Sequence, residues 1–193
     1  MSKAERTRQF IIEKSAELFN THGIAGTAIS DIMHATKLAK GGIYGNFESK
    51  NEICQEAFFH LTTKLSNELD GAVSSGKGAK EKFFNLLKAY ENSNSTPGGC
   101  PILNFGVETD DTDPKIRIFV ERAIKLSQKR IANIIIEGVG NGEISSRINA
   151  GNFSVKVLAM IEGAILFKKV QNDNTQMEIV MEAIQNDFEA YVL

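Results

Sequence analysis

Three patterns of the form Ser/Thr-x-x-Glu, at Ser2-Lys-Ala-Glu5, Ser49-Lys-Asn-Glu52 and Thr175-Gln-Met-Glu178, each stand at the head of a run with helical apolar spacing. In such a box the hydroxyl accepts a first-turn amide and the carboxylate reaches back to the cap's own N–H, so each pattern announces a helix. Strand alternation bounded by Asn-Gly or Asp-Gly turns is almost absent. The chain is therefore expected to be all-α, with about nine helices.

The first helix is expected from Ser2 to about His22, with Ile11, Ile12, Ser15, Ala16, Leu18 and Phe19 on one face and Gly23 as its stop. Thr27 can cap a short second helix carrying Ile29, Ile32 and Met33 inward. A break over Thr36 to Ala39 precedes Lys40-Gly-Gly-Ile-Tyr-Gly-Asn-Phe47. The helix opened by Ser49 carries Ile53, Ala57, Leu61, Leu65 and Leu69 and is expected to end at Gly71. The Gly/Ser/Lys composition of Gly71 to Ala79 marks a hinge, giving a domain at 1–50, a connecting fourth helix over about 50–70, and a larger helical domain at 71–193. Within the latter, helices are expected near Lys80 to Glu91, from Asp113-Pro114 towards Glu137, from Ala150 to Val170, and from Thr175 to about Val192. A Gly/Pro break at Asn92 to Pro101 and a short apolar segment from Ile102 to Val107 lie between the first two.

Composition narrows the function. Residues 1–50 hold 7 Lys/Arg and 5 Asp/Glu against 15 and 19 in the remainder, so a mildly positive front end sits on an acidic chain. That suits nucleic-acid contact at one end only. The first nine residues are polar and read as no signal peptide, and the most apolar stretch, Phe153 to Val170, is interrupted by Lys156 and Glu162. No membrane span is expected. Cys54 and Cys100 lie far apart with no metal spacing, which suits reduced thiols and a cytoplasmic setting, with no metal or cofactor. The sequons at Asn94 and Asn152 carry no weight without a secretory route.

Function concentrates in residues 40–47. Three glycines, Gly41, Gly42 and Gly45, occupy a segment that is helical if its surroundings form a helix-turn-helix. Each glycine disfavours a helix interior by roughly 1 kcal/mol relative to alanine. A helix stripped of side chains on one side can press against a DNA backbone or groove wall, with Lys40 on phosphate and Tyr44 and Asn46 offering polar groups to phosphate or base edges. A plain glycine loop is the alternative on spacing alone.

Ile32-Met-His-Ala-Thr-Lys-Leu-Ala-Lys-Gly-Gly-Ile-Tyr-Gly-Asn-Phe47, followed by Glu48-Ser-Lys-Asn-Glu-Ile53, closely resembles the recognition region of the TetR family of transcriptional regulators, over about residues 5–53. The resemblance implies a three-helix DNA-binding domain joined to a larger helical domain for effector binding and dimerisation. It implies phosphate contacts from Thr27 and Ser30, a recognition helix beginning at Lys40, Gly41 and Gly42, a backbone contact from Tyr44, and a phosphate anchor at Lys50. Gly45 and Asn46 replace the larger aromatic or histidine side chains usual there. Lys37 fills a turn position that is commonly glycine; at positive φ it would be strained, yet it could add a phosphate contact. Leu38, Ile43 and Phe47 read as core.

For the larger domain, Phe83, Phe84, Tyr90, Phe105, Phe119 and Phe167 are spread over helices that would surround one interior. A ligand cavity is expected among Phe83, Leu87, Tyr90, Cys100, Phe105, Phe119 and Glu162, for an apolar or aromatic effector. The last two helices carry more apolar positions than one face needs, so Phe153, Val157, Ile161, Ile165, Val180, Ile184 and Phe188 are expected at a four-helix homodimer interface. The partners expected are thus double-stranded operator DNA, a small-molecule effector and a second copy. The rival readings are weaker. Enzyme chemistry would need more than scattered His22, His34 and His60. The cluster Glu108, Asp110, Asp111, Asp113 reads as a solvated helix start, and Gly138-Val-Gly-Asn-Gly142 follows a helix rather than a strand. A ligand-binding or redox-sensing protein on the same scaffold, with Cys100 as its thiol, is the remaining alternative.

Overall fold

A computed structural model describes residues 1–92 and 97–193. Among them the regular structure is nine helices: α1 (Lys3–His22), α2 (Ile29–Thr36), α3 (Lys40–Tyr44), α4 (Lys50–Ser74), α5 (Ala79–Asn92), α6 (Pro101–Thr109), α7 (Pro114–Gly140), α8 (Ala150–Gln171) and α9 (Thr175–Glu189). The Asn94 sequon and the middle of the Asn92 to Pro101 break lie outside the described residues.

The helix starts follow their local chemistry. The Ser2 hydroxyl accepts from Glu5 N–H while the Glu5 carboxylate accepts from Ser2 N–H, a complete capping box. At α4 the box is offset: Ser49 Oγ accepts from Glu52 N–H, but the Glu52 carboxylate turns to Glu48 N–H. Asp113 Oδ1 accepts from Lys115 and Ile116 N–H at the head of α7, with Pro114 in the first turn where a missing N–H does no harm. Two ends run past the expected stops. α4 continues through Gly71 to Ser74, where a Cβ at Gly71 would meet nothing within 4 Å, and α7 reaches Gly140. Glycine disfavours a helix without forbidding it. Thr175 proves to be the first helical residue of α9, and Asn174 is its cap.

The chain divides into two compact units, Met1–Leu65 with Thr96–Val120, and Ser66–Ser95 with Glu121–Leu193. The units are not the contiguous blocks expected from composition, because α6 and the head of α7 pack with α1 to α4. In the first unit Ile11, Ala16 and Phe19 of α1, Ile32, Ile43, Phe47, and Ile53, Ala57 and Phe58 of α4 are buried together with Phe105 of α6. Each fully buried large side chain contributes about 1.5–3 kcal/mol. Phe58 meets Phe105 at 5.1 Å between ring centroids, and Phe59 meets Phe119 at 4.6 Å.

In the second unit α5, α8 and α9 enclose an aromatic cluster. Phe83 stacks on Phe188 at 4.2 Å and 23°, and Phe153 lies 5.9 Å from Phe83 and 6.2 Å from Phe188. Such pairs add about 0.5–1.5 kcal/mol beyond area burial. The cluster revises the expected interface: Phe153, Val157, Ile161, Ile184 and Phe188 are buried inside the unit and Ile165 and Val180 are half-buried. The outward apolar side chains are Val155, Leu166, Phe167 and Val170 of α8 and Ile179 of α9. Phe167, expected inside, is half exposed at 49%. α8 is thus apolar on both faces, and among the described residues it is the one helix long and apolar enough to cross a membrane by length and composition; a third of its apolar window is buried in the structure.

Candidate nucleic-acid interface

α2 and α3, joined by Lys37 to Ala39, form a helix-turn-helix in the first unit. Its inner face is fixed by Ile32, Ile43 and Phe47, each at most 2% exposed. The turn is set by Lys37, whose φ of 59° and ψ of 23° are left-handed. For a lysine this conformation disfavours the fold by about 1–2 kcal/mol, because Cβ crowds the following carbonyl. The strain expected there is present, and the Lys37 side chain is exposed.

The outer face gathers Ser30, Lys37, Lys40, Gly41 and Tyr44, all exposed. Lys40 Nζ lies 5.9 Å from the Tyr44 ring centroid, so the ammonium and the phenol present one amphipathic patch. A Cβ on Gly41 would meet nothing within 4 Å, whereas one on Gly42 would touch Leu38 at 3.5 Å. Gly41 therefore faces outward and Gly42 faces the turn. The absent Gly41 side chain leaves the backbone of the first turn of α3 bare, as a close approach to a groove wall requires.

Three expected contacts are placed elsewhere. Thr27 is fully buried, and its hydroxyl donates to Gly23 O at 2.7 Å and Leu18 O at 3.4 Å. It closes the corner between α1 and α2 instead of reaching outward. The cap of α2 is Ala28, whose N–H donates to the Asp31 carboxylate at 2.7 Å. Lys50 Nζ donates to Ile24 O at 2.6 Å, so this ammonium already fastens the same corner. Asn46 is half-buried and its carboxamide spends one N–H on Gly42 O at 2.8 Å, which ties the group back to its own helix.

Arg8 of α1 organises the far side of the helix-turn-helix, a role that the sequence does not announce. Its guanidinium donates to Asn46 O at 2.6 Å, Glu52 at 2.9 Å and Glu56 at 2.8 Å, and sits 4.1 Å over the Phe47 ring. The available signal is the one-turn spacing of Glu52 and Glu56 on α4, which presents two carboxylates to a single cation. The N–H of Glu48, with help from Arg8, holds the Glu52 carboxyl below the usual range against the opposing effect of burial. Burial pushes the Cys54 thiol up to about 12, aided by the nearby Asp113 carboxylate, so it is not a nucleophile near neutrality. Glu108 and Asp113, read from sequence as part of a solvated helix start, are in fact engaged: Glu108 accepts from Ile24 and Ala25 N–H and Asp113 from Asn51 as well as its cap partners.

The expected ligand set is divided between the units. Phe105 and Cys100 are buried and Phe119 half-buried in the first, while Phe83, Leu87 and Tyr90 are buried and Glu162 half-buried in the second. A separate open depression of about 260 Å³ in the second unit is lined by Ala72, Ser75, Asn85, Lys88, Ala89 and Asn92.

An exposed basic and aromatic face over a glycine-bared recognition helix defines a helix-turn-helix DNA-binding protein. Residues 11–57 match the family model for bacterial regulatory proteins of the tetR family, and residues 79–184 match that for the tetracyclin repressor-like C-terminal domain. The chain belongs to the TetR family of bacterial transcriptional regulators. It is 28% identical over 186 residues to the HTH-type transcriptional repressor DhaR of Mycobacterium sp. strain GP1, covering 92% of this chain and 91% of that one. Two solved TetR-family regulators, from Cytophaga hutchinsonii and Chloroflexus aurantiacus, each share 32% identity, cover 100% of this chain and 98% of their own, and superpose with TM-scores of 0.94 and 0.95. A 25% identical relative is the HTH-type transcriptional regulator TtgR of Pseudomonas putida, covering 84% of this chain and 80% of that one. The chain is accordingly a DNA-binding transcriptional regulator.

Proposed function

We propose that this regulator is a repressor that binds a palindromic operator as a homodimer and is released by a small apolar or aromatic effector. The observation that carries the DNA-binding part is the outer face of α3, where Lys40 and Tyr44 flank the bare backbone at Gly41. Ser30 and Lys37 extend the same exposed face towards phosphate. The repressor named among the relatives supports the sense of regulation.

The outward apolar side chains of α8 and α9 support pairing with a second copy. Val155, Leu166 and Val170 fall within roughly 60° of one another around α8, and Ile179 adds a further apolar position on α9. A stripe of this kind on a helix already apolar on its inner face is the surface a two-fold four-helix interface buries. Two recognition helices would then meet successive major grooves about 34 Å apart. The match of residues 79–184 to the tetracyclin repressor-like C-terminal domain supports a small-molecule effector.

Selection of genomic fragments by the purified protein at about 150 mM salt tests the reading. A recovered inverted repeat is the expected result. Recovery of no motif by folded protein would favour a ligand-responsive scaffold with little DNA affinity of its own.

A further inference from the structure

The first unit contains a polar latch between α6 and the corner that leads from α1 into α2. At one end Glu108 Oε2 accepts from Ile24 N–H at 2.8 Å and from Ala25 N–H at 3.2 Å. At the other, the Asn104 carboxamide donates to Asn20 O at 3.1 Å, Asn20 Oδ1 at 3.0 Å and Gly98 O at 2.8 Å. Asn20, only 3% exposed, returns its own N–H groups to Pro97 O at 2.6 Å and Gly99 O at 3.0 Å. A buried carboxamide in an apolar helix face disfavours the fold unless it is satisfied, and here satisfaction comes from the α6 segment.

Two glycines are required by this closeness. Gly23 has φ of 80°, and a Cβ there would fall 2.5 Å from Glu108 Oε1; Gly98 has φ of 96°, and a Cβ there would fall 2.1 Å from Asn20 O. Both are left-handed positions where a side chain would also be strained. The corner is gripped from the other side too, since Lys50 Nζ holds the Ile24 carbonyl. Only Gly26 and Thr27 separate Ile24 and Ala25 from Ala28, the cap of α2, so their position fixes where the helix-turn-helix begins.

We propose that Glu108 and Asn104 of α6 are positioning residues for DNA binding, holding the α1–α2 corner so that α2 and α3 meet DNA in register. This rests on the DNA-binding reading. Glu108 acts through its reach and its acceptor atom, with its charge incidental: both amides converge on one oxygen.

Charge and reach separate cleanly in two full-length variants. Glu108→Gln keeps the length and one acceptor oxygen while removing the charge; Glu108→Asp keeps the charge but shortens the arm by a methylene. Titrations use the fragment recovered by the wild type and a shuffled fragment, with thermal midpoints and amide exchange of Ile24 and Ala25 recorded alongside. Glu108→Gln is expected to bind within a few-fold of wild type. Glu108→Asp is expected to lose about tenfold in affinity for the recovered fragment, the scale of one or two lost hydrogen bonds to backbone amides. Its Ile24 and Ala25 amides should exchange faster, with binding to the shuffled fragment unchanged. A carboxylate acting only by repelling DNA would give the opposite order, Gln tighter and Asp unchanged, and would overturn the proposal. Equal loss of both fragments in Asp, or unchanged specific binding in it, would do the same. A wild type that recovers no fragment defeats the DNA-binding reading instead, and faster amide exchange in Asp alone still reports the latch.

Discussion

Substituting Gly41 by alanine should pull stability and DNA affinity in opposite directions. A Cβ at Gly41 meets nothing within 4 Å, and the backbone there is helical, so the free protein gains helix propensity without a clash. For a residue in the first turn of a five-residue helix that gain is about 0.5–1 kcal/mol. In a chain of this length it raises the thermal midpoint by about 1–4 °C. Against DNA the same methyl occupies the space the bare backbone leaves for the groove wall, and overpacking of a fitted contact costs about 1–3 kcal/mol. Affinity for the operator should fall about 5- to 150-fold. Gly42→Ala is the internal control, because its Cβ makes an ordinary 3.5 Å contact with Leu38. It should gain stability and keep DNA affinity. Calorimetric melts and a fluorescence anisotropy titration read both quantities. Wild-type affinity in Gly41→Ala would refute the close approach, and a lowered midpoint would refute the open face.

Further substitutions follow from the same geometry. Lys37→Gly relieves a left-handed lysine, so the midpoint should rise, by about 1 kcal/mol of stability, while the slope of log affinity against log salt should flatten by about one phosphate contact; an unchanged slope would remove Lys37 from the interface. Thr27→Val deletes a buried hydroxyl that donates to Gly23 O and should destabilise by about 1–3 kcal/mol, detected by urea denaturation as a shifted midpoint. Ser15 is fully buried in α1 and its hydroxyl has no hydrogen-bond partner among the described residues, so Ser15→Ala should leave stability equal or improved; a clear loss in the same urea assay would show that the hydroxyl is satisfied. Glu52, held down by Glu48 N–H and Arg8, and Asp70, held down by Arg130, have lowered folded-state values. Their contribution is present above the unfolded carboxylate range near pH 4 and lost as pH falls through the folded values. Midpoints measured from pH 7 to 3 should decline in that window, and Arg8→Met should flatten the decline.

Helix order and type are legible in the sequence because caps and periodicity are local. The Ser2 box, the Asp113-Pro114 start and the inward Ile43 and Phe47 need only residues within two turns of one another. The outer face of α3 is legible for the same reason: glycine disfavours a helix, so a helical Gly41 points to a contact that needs the backbone bare. What sequence does not show is the choice between two polar partners for one group. Thr27 and Lys50 carry groups suited to phosphate, yet each finds a backbone carbonyl of the α1–α2 corner. Arg8 meets Glu52 and Glu56 across more than forty positions, and Glu108 meets Ile24 across 84, distances along the chain that no spacing rule spans. The faces of the last two helices are a different case. Periodicity marks α8 and α9 as apolar on more than one side but does not say which side is covered from within, so Phe153 and Phe188, expected outward, are buried, and Phe167, expected inside, is exposed.

Recognition of operator DNA is assigned to the exposed face of α3. Its most direct test is an anisotropy titration of the recovered fragment with wild type and with Lys40→Ala/Tyr44→Ala, in the presence of excess shuffled competitor and with helix content checked by circular dichroism. Loss of specific binding in a variant that keeps its helix content is the predicted result. Wild-type affinity in that variant would place recognition on a different surface and rule out the α3 face.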